Sequence, residues 1–251
     1  MSDRAATPTL NTPLLAGLLT QVRVVLAESL VPLLLGDPGT GKTHASNLIA
    51  AAEYERDVRL SAWAGTDESV VESRQLRGLE TFWSPGGLGQ AQESALERKT
   101  LFRVSELQYA STALFQFLAP VLAERRLPFP SGRTLEAPLG IILESNDLHR
   151  IPDYLIDRCV VIEFPSWGRE DFEALARLHG FGAAEAWTIG TAVWTHNEQH
   201  EPGARLSARA IVKYARLRGP LGAQTAARLA FRPARGDNRA LLDTLSATVQ
   251  P

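Results

Sequence analysis

Residues 31–43 read VPLLLGDPGTGKT, and Gly36, Gly41, Lys42 and Thr43 stand there at the spacing of a phosphate-binding loop. Each residue type has a chemical reason at its place. The glycines let backbone N–H groups close around phosphate oxygens, where a Cβ would collide or the dihedrals would be forbidden. Asp37, Pro38, Gly39 and Thr40 complete the cradle. Lys42 suits the negative charge of β- and γ-phosphates, and the Thr43 hydroxyl suits a Mg²⁺ ion. These residues imply a bound nucleoside triphosphate.

A strand must deliver such a loop and a helix must leave it. Residues 31–35 form the apolar run, and HASNLIAAAEYER from His44 on has the helix formers to continue it, with an N-terminus that favours an anion. Upstream, residues 14–30 read as a helix. Downstream, strands are expected at 58–62, 100–105, 139–144 and 160–164, and helices at 89–98 and 112–124. Residues 65–78 read as a polar connection with a helical turn, 84–89 (SPGGLG) as a sharp turn, and 126–136 as a hairpin around Ser131 and Gly132. Strands alternating with helices predict an α/β fold with a mostly parallel sheet covered on both faces. Beyond Pro165 the pattern becomes helical, at 169–179, 183–197, 207–218 and 221–230. The expected organisation is a tail (1–13), a nucleotide-binding α/β domain (14–165) and a helical domain (166–251). Arg103 breaks an otherwise apolar strand, which no sequence pattern accounts for.

Composition restricts the classes. With 251 residues the chain can bury a real core, and a formal net charge of −2 gives no bulk attraction to nucleic acid or an anionic membrane. The single cysteine, Cys159, excludes an internal disulfide and reads as core filler. The first 13 residues show no apolar signal region, and no window reaches the ~20 apolar residues of a membrane helix, so a cytoplasmic protein is expected. His196 and His200 are four apart, but Asn197 stands where a zinc-protease motif needs Glu. Trp187 and Trp194, seven apart, are expected in the core.

The order of these motifs resembles a AAA+ ATPase, and within that superfamily the MoxR-like branch, over residues 30–217. GDPGTGKT is similar to that group's phosphate loop. QLRG (75–78), SPGGL (84–88) and LFQFLAPVLAERRLPFPSGRTLEAP (114–138) resemble its connecting segments. The resemblance implies a RecA-like αβα sheet with a C-terminal helical lid, the nucleotide lying between the two. It also assigns roles. Glu106 matches the glutamate that polarises the attacking water, and Ser105 stands where an aspartate would hold Mg²⁺, with a plain strand-to-loop turn as the alternative. Asn146 matches the first sensor, near the γ-phosphate, with a turn cap as the alternative. Arg158 matches the finger that reaches a neighbouring subunit's nucleotide, with a salt bridge to Asp153 or Asp157 as the alternative. Arg209 matches the second sensor, with Arg205 as its rival, while Ser207 also suits a helix N-cap.

By the same resemblance, the expected activity is Mg²⁺-dependent ATP hydrolysis in a homo-oligomeric ring, a hexamer, that remodels a protein partner. Two other classes stay open. Ser105 favours a nucleotide-binding regulatory or assembly subunit with weak hydrolysis. A nucleic-acid motor or loader shares the same core, though neither the charge nor any appendage indicates one.

Overall fold

The apolar run before the phosphate loop is a strand because it is buried between neighbours on both sides. A computed structural model describes residues 12–78, 80–201, 205–232 and 238–248, so the expected tail at 1–13 lies almost wholly outside it. In chain order the first elements are helix α1 (Pro13–Ala27), strand β1 (Pro32–Leu35), helix α2 (Lys42–Glu53) and strand β2 (Arg56–Ser61). A 3-10 turn (Glu68–Val70) leads to β3 (Glu72–Arg77), β4 (Glu80–Pro85), α3 (Gly87–Ser94) and β5 (Thr100–Ser105). Then come α4 (Thr112–Glu124), β6 (Arg126–Pro128), β7 (Thr134–Glu136), β8 (Gly140–Ser145), α5 (Asp153–Ile156) and β9 (Val160–Glu163). The remaining described helices are α6 (Arg169–Leu178), α7 (Ala183–Glu198), α8 (Ala208–Leu221), α9 (Ala223–Ala230) and α10 (Arg239–Thr248).

Contacts divide the chain into two units. One holds Gly17–Gly36 and Lys42–Phe164; the other holds residues 12–16, Asp37–Gly41 and the described residues from Pro165 on. The first contains a five-stranded parallel sheet in the order β2-β5-β8-β1-β9. Its inner strands are mainly apolar because helices cover both faces, with Arg103 of β5 and Glu144 of β8 as buried exceptions. Leu33 and Leu34 of β1, Phe102 and Val104 of β5, and Ile141 to Leu143 of β8 are wholly buried. Ser111 starts α4 by accepting the Leu114 N–H at 3.1 Å, and the β6–β7 hairpin pairs where it was expected. Cys159 packs against this core, and burial pushes its thiol up to about 12, so it is an inert filler.

Two features depart from expectation in this unit. The helical turn expected within 65–78 is present at Glu68–Val70, but Glu72–Arg77 is a strand that pairs antiparallel with Glu80–Pro85, β3 with β4. This hairpin forms a sheet of its own, so neither strand has a buried face to imprint alternation on the sequence; Leu76 is 76% exposed. Arg103, in the middle of β5, is only 3% exposed. Its guanidinium grips Asp57 of β2 with two bonds (2.8 and 2.7 Å) and donates to Ser46 (2.8 Å) and Asn47 (2.9 Å) of α2. That satisfies the charge.

The helical unit is built around aromatic rings. Tyr214 of α8 is fully buried, stacked on Phe181 (5.4 Å between centroids) and tilted against Phe231 (5.2 Å). Trp187 and Trp194 are not core residues: they are 52% and 37% exposed. Helix α7 instead buries Ala186, Ile189, Gly190 and Val193. A Cβ at Gly190 would lie 2.8 Å from the Glu173 backbone nitrogen, so α6 packs on this small-residue face and the tryptophans turn outward. Helix α10, which lies beyond the helices expected from the sequence, buries Leu241 and Leu245. Among the described residues no helix is long and apolar enough to cross a membrane.

The Asp57–Arg103 pair sets a pH dependence. Burial acts to raise the Asp57 carboxyl, but hydrogen bonds from Arg103 and Arg59, and their charges, outweigh it and hold the group below the usual carboxylate range. Stability from a depressed carboxylate is present above the unfolded pKa and is lost as pH falls through the folded one. Asp57→Asn should cost about 2–3 kcal/mol near neutral pH, somewhat under a fully buried pair. Denaturant unfolding at pH 7 and about pH 3 should show the wild type losing more stability than the variant. Equal losses in the two proteins would contradict this assignment.

Candidate functional site

In the α/β unit the phosphate-loop termini lie at the carboxyl ends of the parallel strands, the usual ligand edge of such sheets. Gly36 leaves β1 with φ +155°, and a Cβ there would stand 2.3 Å from the Phe164 carbonyl oxygen, so only glycine fits. Lys42 opens α2 and is buried; its Nζ donates to Gly36 O (2.6 Å) and to Asn146 Oδ1 (2.9 Å). Asn146 comes directly after β8 and its Nδ2 donates to Glu106 Oε2 (3.2 Å). Lys42, Asn146 and Glu106, each expected at the site for its own reason, are thus joined in one chain of hydrogen bonds.

Glu106 has its own local cause. It sits just past β5 in the left-handed region (φ 57°, ψ 40°), a sparsely populated conformation for a non-glycine residue that persists only where surroundings enforce it. The Tyr109 N–H bonds to the Glu106 carbonyl at 2.9 Å in this turn, and Gln108 holds the Glu106 side chain. This buried residue donates from Nε2 to Glu106 Oε2 (2.7 Å), while its Oε1 accepts from Ser145 Oγ (2.9 Å) and Asn146 N (3.2 Å). Both donors meet the same carboxylate oxygen, which leaves Oε1 of the exposed Glu106 toward solvent. Gln108 is not among the site residues expected from the sequence; its place two residues after Glu106 is the available signal.

Thr43 and Ser105, the two expected metal positions, have different hydrogen-bond partners. The Ser105 hydroxyl reaches the Leu60 carbonyl of β2 at 3.5 Å, the outer limit for a hydrogen bond. Thr43 Oγ1 instead donates to Glu144 Oε2 at 2.6 Å, and Ser46 Oγ donates to Glu144 Oε1 at 2.6 Å. Glu144 is 3% exposed in the central strand β8. On the sequence it reads as the end of an apolar run, although a carboxylate in that setting is the kind of residue that needs a reason. Among the described residues no cluster of three or more His, Cys, Asp or Glu could hold a metal by itself. Arg158 is exposed after α5, donates to the Tyr154 carbonyl, and makes no ion pair with Asp153 or Asp157 among the described residues.

Asp37 to Thr40 belong by contact to the helical unit, where they line a cleft of about 400 Å³ together with Trp167, Ser207 and Arg209. Trp167 Nε1 donates to the Thr40 carbonyl at 2.8 Å. Arg205 and Arg209 both line this cleft, but they differ in commitment. The Arg205 Nε donates to the carbonyls of Asn197 and His200 (3.1 Å each), closing the C-terminal end of α7. Arg209, in the first turn of α8, is exposed. Ser207 is the N-cap residue of α8 by position but makes no side-chain capping bond.

A parallel αβα sheet with a phosphate loop after β1 and polar residues at the ends of β5 and β8 defines a RecA-like nucleotide-binding fold. Residues 32–159 match the family described as AAA domain (dynein-related subfamily), and the chain belongs to that family. It is 31% identical over 158 residues to the Lon protease of Heliobacterium modesticaldum, covering 58% of this chain and 19% of that protein. It is 28% identical over 157 residues to the Lon protease of Elusimicrobium minutum (57% and 18%) and 27% over 159 to Lon protease 2 of Myxococcus xanthus (58% and 18%). The chain spans about a fifth of the length of these relatives.

The two arginines should separate by experiment. Arg205→Ala should lower the melting temperature, since it strips about 1 kcal/mol per hydrogen bond from the end of α7. Arg209→Ala should leave melting unchanged and weaken only nucleotide-dependent behaviour. The reverse pattern would make Arg205 the nucleotide reader.

Proposed function

We propose that this chain is a AAA+ ATPase module that binds ATP with Mg²⁺, hydrolyses it to ADP and phosphate, and uses the cycle to remodel or activate a protein partner. The observation that carries the reading is the Lys42–Asn146–Glu106 chain with Gln108 behind it. The Lys42 ammonium neutralises phosphate charge, in place of its bonds to Gly36 and Asn146. The Asn146 amide fixes Glu106 and presents a polar group to the attacking water. Glu106, pinned through Oε2, accepts the water's proton at Oε1. Positioning of this kind supplies most of the catalysis in phosphoryl transfer.

The oxygen donors Thr43 and Glu144 fit a hard divalent cation. Held there, Mg²⁺ would supply positive charge that offsets the negative charge developing on the nucleotide. Residues 14–165 would serve as the nucleotide-binding domain, and 166–251 as the helical domain that reads nucleotide state through Arg209. Arg158, exposed and without an ion pair to Asp153 or Asp157 among the described residues, suits a finger acting in trans, which implies a ring. A hexamer in the cytosol and a place in the MoxR-like branch are part of this proposal. The Lon protease relatives support work on a protein partner rather than on nucleic acid. Ser105 favours a second reading, a regulatory subunit that binds ATP and turns it over weakly.

Phosphate release decides between them. Glu106→Gln should keep ATP binding and cut turnover by about 10²–10⁴-fold. Arg158→Ala should cut it by about 10³-fold or more with binding nearly intact. Mixed Glu106→Gln and Arg158→Ala subunits should regain part of the activity, because one interface in a mixed ring is whole. A wild type no faster than Glu106→Gln would establish the regulatory reading, and no recovery in assembled mixtures would remove the trans role.

A further inference from the structure

We propose that Glu144 of β8 is the positioning carboxylate for the divalent cation at the phosphate loop, taking over the task that position 105 lacks. The inference rests on the nucleotide-binding reading above. Its ground is a shift of one strand. β5 and β8 are parallel neighbours with Val104 opposite Leu143, so continuing that register sets Glu144 beside Ser105. β8 is also the strand next to β1, with Leu34 opposite Glu144. A carboxylate moved from the end of β5 to the same level of β8 stays at the strand ends and comes nearer to the loop after β1.

The contacts of Glu144 fit that task. Arg103 is the nearby buried cation, yet it spends its two-pronged contact on Asp57 and reaches Glu144 only through the Ser46 hydroxyl. The buried carboxylate is therefore met by two hydroxyl groups, one of them on Thr43, the residue next to the phosphate-loop lysine. Because Thr43 gives its single proton to Glu144, the oxygen lone pairs are turned to other partners, as a hydroxyl bound to a cation requires. Mg²⁺ keeps several waters and takes one or two carboxylates, which one buried glutamate beside one hydroxyl can satisfy. Ser105, whose hydroxyl lies against Leu60 on β2, is not needed for it.

Metal affinity is the readout, independent of turnover. Mn²⁺ is titrated by electron paramagnetic resonance into protein saturated with ADP, and a fluorescent ADP analogue is titrated in chelator without metal. Glu144→Gln should keep the metal-free ADP affinity within about twofold while weakening Mn²⁺ by about 10–100-fold, the usual effect of losing a group behind a metal ligand. Ser105→Asp alone, with Glu144 in place, should change Mn²⁺ affinity by less than about threefold, since the site already has its carboxylate. Wild-type Mn²⁺ affinity in Glu144→Gln would overturn the proposal and leave nucleotide binding standing. So would a tightening of about tenfold or more in Ser105→Asp, which also decides the matter if Glu144→Gln fails to fold. Absence of ADP binding by the wild type, with or without metal, would overturn the nucleotide reading and this proposal together.

Discussion

One ammonium group ties the strand ends together. Lys42 is buried at the start of α2 and bonds to the first residue past β1, Gly36, and to the first residue past β8, Asn146. Through Asn146 the same chain reaches Glu106 beyond β5. Three parallel strands thus present their polar ends to one cation. The sheet order makes this possible, because β5, β8 and β1 are consecutive neighbours. Phosphate oxygens carry negative charge, so they attract an ammonium more strongly than the neutral carbonyl and amide oxygens that hold it here. On the function proposed above, the arrangement exchanges these internal partners for a nucleotide.

Beneath that edge runs a second polar chain inside an apolar sheet. Asp57, Arg103, Ser46, Glu144 and Thr43 are linked in that order across β2, β5, α2 and β8. Buried charges need compensation: Arg103 is paired with Asp57, and Glu144 is met by the Thr43 and Ser46 hydroxyls. The chain gives Arg103 a reason to exist in a central strand. It also fixes the rotation of α2 against the sheet, and with it the direction in which Lys42 and Thr43 leave the loop.

The parts of the fold with a strong period are legible. β5 at 100–105 and α4 at 112–124 fall where the sequence places them, because each buries a continuous or one-sided apolar face. The β3–β4 hairpin leaves no such trace, having no buried face, and α10 escapes notice as a short amphipathic piece late in the chain. Trp187 and Trp194 mislead because ring size suggests burial, whereas helix approach over Gly190 decides which face of α7 goes inward. At the site, Lys42, Glu106 and Asn146 are readable from motif order, and the structure links them. Gln108 and Glu144 are not, since their significance lies in partners 37 and more than 90 residues away along the chain. Arg103 is visible as an anomaly, but its carboxylate on β2 can be found only from strand order.

The central claim is that the Lys42 ammonium gives up its internal partners to a triphosphate. Titration of a fluorescent ATP analogue into wild type and Lys42→Ala tests it most directly. The wild type should bind saturably, and Lys42→Ala should bind about 10–100-fold more weakly, the equivalent of losing about 1.5–3 kcal/mol of hydrogen bonding to a charged group. Equal affinity in the two proteins, both shown to be folded, would mean that this loop is not where nucleotide binds.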